Sequence, residues 1–518
     1  MIQHRCLNVV IAGVAILGAG CSGSTASSPT TATSTAVATT LGSAASTSEA
    51  ATTTTSTQPL IVRTPVAVTG PVTGGKKQAN AATIDLAAFG YSESEFFING
   101  NATSYTASGA LGSDGKWNVV SGKSAPFTTR IVVRRPTAVK FSGTVLIEWL
   151  NVSAGADGEP DWGYTSGEIL REGHVWVGVS AQAVGVNGGK PIIPGTPAGG
   201  GLVKDDPERY GTLAHPGDSF AYDMFTQAAT ALVSHSGVAP LGDLIPKKLI
   251  AVGESQSAFF LTTYINAVQP LSKLFDGFLV HSRGGGASSI DGAPVGPVKT
   301  SADAVKIRDD IAVPVLMFET ETDLTVLGYA KAQQRDTPLL KVWEVAGTAH
   351  ADAYLLVEVY HLGESANLSS LVNCPAPLNS GPQHEVLQAA LHHLTTWVAG
   401  GAPPPSSARF EVASVDPPTL SRDNRGIAIG GIRTPLVDVP VAALSGDLVA
   451  GAAGFCVLFG STTPFDSATL KSMYPTPKAY VDAFETSLKS AVAAGFVLEA
   501  DAAKLLQHAN SVALTLTP

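Results

Sequence analysis

Apolar residues fall along this chain in short unbroken runs, and stretches with helical spacing lie between them. Runs at 144–150, 174–179, 249–252, 277–281, 313–318 and 341–345 are rich in Val, Ile and Leu. Their length and β-branching are those of strands covered on both faces. Residues 220–235, 258–268 and 385–399 carry the pattern of helices, the last ending at Gly400-Gly401 before Pro403-Pro404-Pro405. Residues 329–335 are also expected to be helical. Strands alternating with helices imply right-handed crossovers and a mainly parallel sheet with helices on both faces. Upstream, 83–135 shows only short strand-like runs, at 96–98, 117–120 and 128–133. Gly- and Pro-rich excursions at 183–215 and 283–310 read as inserted loops, and 402–518 as a C-terminal extension. No internal repeat is visible.

One junction stands out. The run 249–252 is cut by Gly253-Glu254-Ser255-Gln256-Ser257, and a helix follows. Strand, sharp turn with a central serine, then helix is the geometry of a nucleophile elbow. Such a turn thrusts the serine Oγ out of the sheet and demands small residues two places either side, here Gly253 and Ser257. It also brings the Gln256 N–H and the helix N-terminus close to any oxyanion formed at the serine. The same short pattern recurs at Gly20-Cys21-Ser22-Gly23-Ser24 and Gly217-Asp218-Ser219-Phe220-Ala221. The first lies in a targeting segment and the second lacks a preceding strand, so Ser255 is the candidate.

A serine hydroxyl needs a base within hydrogen-bond reach, itself oriented by an acid. In the α/β-hydrolase arrangement the chain order is nucleophile, acid, histidine. Beyond the strand that follows Ser255, His361, His384, His392, His393 and His508 fall in helices or their flanks, where a structural role is the default. His350 lies in Ala346-Gly347-Thr348-Ala349-His350-Ala351-Asp352, a small-residue loop directly after a strand. That is where the base belongs. The acid should leave the preceding strand, which ends in Glu319-Thr320-Glu321-Thr322-Asp323. Asp323 is expected to hold the imidazole, with Glu321 as the alternative and Glu319 as strand-end structure. A second oxyanion donor should come from the loop after 144–150, through the backbone N–H of Asn151 or Val152.

The totals narrow the partners. The chain has 518 residues, 44% hydrophobic and 14% charged, enough for a large core. A net charge of −10 without a basic cluster speaks against nucleic acid. His4 and Arg5, an apolar stretch at 7–17 and Gly18-Ala19-Gly20 before Cys21 fit an export signal. They resemble a lipobox, although Gly18 occupies the slot that a leucine usually fills. Residues 1–21 are therefore expected to be a leader ending at a lipidated Cys21, with plain secretion as the alternative. Residues 22–65, rich in Ser, Thr and Ala, are expected to be a disordered tether, and the folded body to be 66–518. The membrane would be touched only through that anchor, and the location would be extracytoplasmic. In an exported protein Cys374 and Cys456 are expected to pair. His350 and Asp352 are too few to hold a metal, and Gly284-Gly285-Gly286 lacks the Lys-Ser/Thr of a phosphate loop. No metal and no cofactor are implied.

Together, Glu148-Trp149-Leu150-Asn151-Val152, Gly253–Ser257, Glu319–Asp323, Trp343–Asp352 and Asp423-Asn424-Arg425-Gly426 resemble the bacterial family named simply "α/β hydrolase domain" proteins. Members of that family are usually exported and mostly of unknown substrate. The resemblance implies an α/β-hydrolase fold with Ser255 as nucleophile, His350 as base and an acid at 319–323. The expected activity is hydrolysis of carboxylic esters of small molecules through an acyl-enzyme, the excursions and extension walling the acyl pocket. Two other readings suit the same residues: an acyltransferase, and an envelope-binding protein that kept the fold without the chemistry.

Overall fold

The computed structural model describes residues 63–189, 191, 199–293, 303–358 and 368–516. The leader, Cys21, nearly all of the tether and His361 lie outside the described residues.

Among the described residues ten strands form one sheet: β1 (Val66–Thr69), β2 (Tyr91–Ala107), β3 (Val119–Pro136), β4 (Thr144–Trp149), β5 (Val175–Val179), β6 (His235–Gly237), β7 (Lys248–Glu254), β8 (Gly277–His281), β9 (Val315–Thr320) and β10 (Leu340–Val345). Their order is β10-β9-β8-β7-β4-β5-β3-β2-β1-β6. From β5 to β10 neighbours run parallel, and β3, β2 and β1 join in antiparallel fashion. In the central strands alternate residues feed two cores. Val145, Ile147, Trp149, Ala251, Phe278 and Met317 pack in one, and Leu146, Leu150, Ile250, Leu279 and Phe318 in the other. Burial on both faces is why these strands read as unbroken apolar runs. Helices Ala221–Ala231 and Gln256–Thr263 cover the first face, where Trp149 packs 4.8 Å from Phe225 and 5.0 Å from Phe260 between ring centroids. Helices Pro160–Glu172 and Gln383–Val398 cover the second.

Several expectations change. The short runs in 83–135 are pieces of one long hairpin, in which β2 and β3 pair from Tyr91↔Pro136 to Ala107↔Val119. Mixed burial along both strands broke the pattern into fragments. The helix expected at 258–268 begins at Gln256 and passes through a π-helical turn, Tyr264–Val268, before Gln269–Ser272. Residues 329–335 hold only the 3₁₀ turn Tyr329–Lys331. The helix expected at 220–235 stops at Ala231, because His235–Gly237 is taken up as an edge strand on β1. Among its described residues the 183–215 excursion holds three short helices, Ala183–Asn187, Gly201–Asp205 and Pro207–Tyr210. Cys374 and Cys456 form a disulfide across 82 residues, tying the C-terminal extension to the body.

Candidate active site

The nucleophile candidate sits where β7 turns into the helix Gln256–Thr263. Ser255 has φ 58° and ψ −122°, a region that residues with a Cβ avoid, and its N–H is held by the His281 carbonyl at 2.9 Å. The bend packs strand against helix so tightly that a Cβ on Gly253 would lie 3.0 Å from Leu261 Cδ1 and 3.2 Å from Ser257 Cβ. That contact is the physical reason for the small residues at 253 and 257. Being first in the helix, the Gln256 N–H has no carbonyl one turn back to bond.

His350, Asp323 and Ser255 come together from three separate strand ends. His350 Nε2 lies 2.7 Å from Ser255 Oγ, and its Nδ1 lies 2.6 Å from Asp323 Oδ1. A carboxylate facing Nδ1 fixes the proton there and leaves the Nε2 lone pair toward the hydroxyl. Asp323 is not in a free loop as expected. It is the third residue of a short helix, Glu321–Thr325, and forms a capping box with Thr320. Its Oδ2 accepts the Thr320 N–H and Oγ1–H, both at 2.7 Å, which holds Oδ1 toward the imidazole.

The other carboxyls of this segment point elsewhere. Glu321 is fully buried and accepts the N–H groups of Gly347 at 2.7 Å and Gly446 at 2.9 Å, and Arg422 Nη2 at 2.8 Å. It therefore clamps the loop carrying His350 to the C-terminal extension and does not face the ring. Glu319 lies in β9 with no hydrogen bond from either oxygen, and burial, then the Asp323 charge, pushes its carboxyl well above the usual range. Glu254 Oε1 is 3.3 Å from His350 Nε2, while its Oε2 accepts Asn151 Nδ2 at 3.1 Å. Burial first, then the charges of Asp161, Asp323 and Glu148, raise Glu254 well above the ordinary glutamate value.

Of the two expected backbone donors only one is available. The Asn151 N–H is spent on the Gly158 carbonyl at 2.9 Å, in a bridge that closes the loop after β4. The Val152 N–H faces Gln256 Oε1 at 3.5 Å, too long to engage it firmly. The histidines taken as structural sit apart: His384 stacks on Tyr354 at 3.8 Å, His392 meets Glu168 at 2.7 Å, and His393 faces the Gly495 carbonyl at 2.9 Å. Glu168, Glu172 and His392 are the one group among the described residues with cation-ligand spacing, and Glu168 is already occupied by Arg171 and His392. A cavity of about 430 Å³ is lined by His384, Leu444, Tyr480 and Leu505 among others, and includes none of Ser255, His350 and Asp323.

Arg422, Glu254 and Gln182, whose Oε1 accepts Gln256 Nε2 at 2.7 Å, are the site residues that the sequence did not single out. Gln182 carried a usable signal, since it follows β5 at the carboxyl end of the sheet, where ligand-facing groups gather. Arg422 carried none, because its partner lies a hundred residues upstream in another element.

The fold is that of an α/β hydrolase: a mainly parallel sheet flanked by helices, with a serine in a strained turn between a central strand and its helix. Residues 68–507 match the family described as "Alpha/beta hydrolase domain", and the chain belongs to that family. No curated protein matches it. Similar solved structures include a putative dienelactone hydrolase from Klebsiella pneumoniae subsp. pneumoniae, at 14% identity, 48% of this chain, 85% of that one and TM-score 0.23. Others are a fungal esterase from Rhizomucor miehei (14% identity, 62% and 94% covered, TM-score 0.28) and an α/β serine hydrolase from Xanthomonas campestris (10%, 53% and 96%, 0.26).

Proposed function

We propose that this protein is a serine hydrolase that cleaves carboxylic esters of small molecules through an acyl-enzyme. The observation that carries the proposal is one imidazole, His350, within 2.7 Å of Ser255 Oγ and 2.6 Å of Asp323 Oδ1. As Oγ bonds to the ester carbonyl carbon, its proton passes to His350 Nε2 and Asp323 stabilises the imidazolium. The carbonyl oxygen becomes an oxyanion facing the N–H groups of Gln256 and Val152. Collapse breaks the bond to the leaving alkoxide, which takes the proton from Nε2. Water then repeats the sequence on the acyl group, giving the carboxylic acid and restoring Ser255. One oxyanion donor contributes roughly 3 to 4 kcal/mol. No step needs a cofactor.

The 183–215 and 283–310 excursions and the extension are proposed to wall the acyl pocket. Export, with Cys21 lipidated and the body tethered outside the cytoplasm, completes the proposal, on the motif at 7–21 alone.

A fluorophosphonate probe followed by p-nitrophenyl esters of graded chain length tests the enzymatic part. Labelling and turnover that vanish in Ser255→Ala are expected, and Asp323→Asn should lower kcat roughly 10⁴-fold by upsetting the tautomer. A folded protein that neither labels nor turns over would overturn the proposal.

A further inference from the structure

Trp149, Gln182, Gln256 and Val152 form a buried polar line across the carboxyl ends of β4, β5 and β7. Trp149 Nε1 donates to Gln182 Oε1 at 3.0 Å, and Gln256 Nε2 donates to that same oxygen at 2.7 Å. All four residues are at least nine-tenths buried, with exposures of 0% for Trp149, 3% for Gln182, 6% for Gln256 and 1% for Val152.

The direction of every bond follows from one group. An indole N–H can only donate, so the Gln182 atom it meets must be the carbonyl oxygen. That oxygen can take a second bond only from a donor, so the amide nitrogen of Gln256 must face it. Gln256 Oε1 is then left pointing at the Val152 N–H, at 3.5 Å. The amide orientations are dictated by Trp149 and are not interchangeable.

We infer that Gln182 is a positioning residue for the oxyanion site, acting through the Gln256 side chain on the peptide N–H of Val152. The inference rests on Ser255 being the nucleophile. At 3.5 Å the Gln256 carbonyl aims the Val152 N–H without engaging it strongly. An oxyanion, carrying full charge, binds such a donor far better than a neutral amide oxygen does. The gain is realised only as charge develops, and so it lowers the barrier without tightening the ground state. The short 2.7 Å bond to Gln182 keeps the Gln256 amide from swinging in and claiming the donor. Asn151 secures the other side of the loop, through Nδ2 to the Glu254 carbonyl at 3.1 Å. Among the described residues the Gln256 amide nitrogen is held by Gln182 alone.

The test compares Gln182→Leu, Gln182→Glu and Gln256→Glu with the wild type on a p-nitrophenyl ester. A trifluoromethyl ketone, whose adduct places an oxyanion in the hole, serves as second probe. Gln182→Leu strands two buried donors and frees the amide. Its kcat should fall tenfold to a thousandfold with KM within about threefold, and it should lose ketone affinity in step with kcat. Gln182→Glu presents the same acceptor oxygen and should recover most of kcat. Gln256→Glu sets a carboxylate against Gln182 Oε1 while keeping the backbone donor, and should be slow if Gln182→Leu does not fold. A kcat for Gln182→Leu within twofold of wild type overturns the inference, as does a Gln182→Glu as slow as the leucine variant. Fluorophosphonate labelling of each variant separates the two levels. A wild type that neither labels nor hydrolyses esters sinks the role of Ser255 itself. An active wild type with indifferent Gln182 variants sinks only the positioning role.

Discussion

Glu321 accepts the backbone N–H of Gly347 at 2.7 Å, which joins the acidic helix after β9 to the loop that carries His350. The same carboxyl takes Gly446 and Arg422 from the C-terminal extension, so three distant segments share one buried acceptor. Burial raises its carboxyl, and Arg422 and the two N–H groups pull the other way. Glu321→Ala leaves the Gly347 and Gly446 amides without this acceptor and takes one of the partners of Arg422, which keeps Asp447 and the Gly426 carbonyl. It is expected to cost about 3 kcal/mol in urea unfolding and to slow turnover, because His350 loses its support. Unchanged stability would show that the extension does not depend on this clamp.

Ser255 is held at φ 58°, a conformation that glycine adopts freely and alanine does not. Both Ser255→Gly and Ser255→Ala should be inactive. The glycine variant should nevertheless be more stable than the alanine variant by about 1 kcal/mol, since it relieves backbone strain that alanine keeps. Equal midpoints in parallel denaturation curves would mean that the turn is unstrained.

Asp352, two residues past the histidine, accepts Tyr164 Oη–H at 3.0 Å and the Leu355 N–H at 2.9 Å. Burial above all pushes its carboxyl up to about 7. An unfolded aspartate releases its proton near pH ~4. Between those values the folded chain keeps a proton that the unfolded chain has lost, so stability from this group falls as pH rises through the window and is level on either side. Asp352→Asn removes that titration. Relative to wild type, the variant should gain a few kcal/mol, at most about 4, on going from pH 4 to pH 8. Parallel stability–pH curves for the two proteins would contradict this.

The Cys374–Cys456 bridge spans 82 residues of chain. Cross-linking so long a stretch restricts the unfolded state by about 4 kcal/mol in the chain-entropy account. Thermal melts with and without reductant should differ by several degrees, and Cys456→Ser should match the reduced protein. Coincident melts would rule out that contribution.

The unbroken runs of β4, β7, β8 and β9 were legible because strands buried on both faces need apolar residues at every position. The elbow was legible because its chemistry is local: Gly253, Ser255 and Ser257 meet within one turn, and the following helix begins at once. The hairpin β2–β3 was hidden because only part of each strand is covered, and the helix expected at 329–335 lost to tertiary packing that leaves one 3₁₀ turn. The amino-acid order also narrowed the candidate base to His350 and the candidate acid to three neighbours, since strand ends can be located from hydrophobic runs. The order of residues favoured Asp323 over Glu321 only because Asp323 lies further past the strand, and what each carboxyl meets required the chain to be folded. The two carboxyls leave the same short helix two residues apart, and only long-range partners, His350 for one and Gly347, Gly446 and Arg422 for the other, decide what each does. The same holds for Val152 over Asn151, whose N–H is spent on Gly158. Local propensity places a residue on an element, and hydrogen-bond competition across the fold assigns its task.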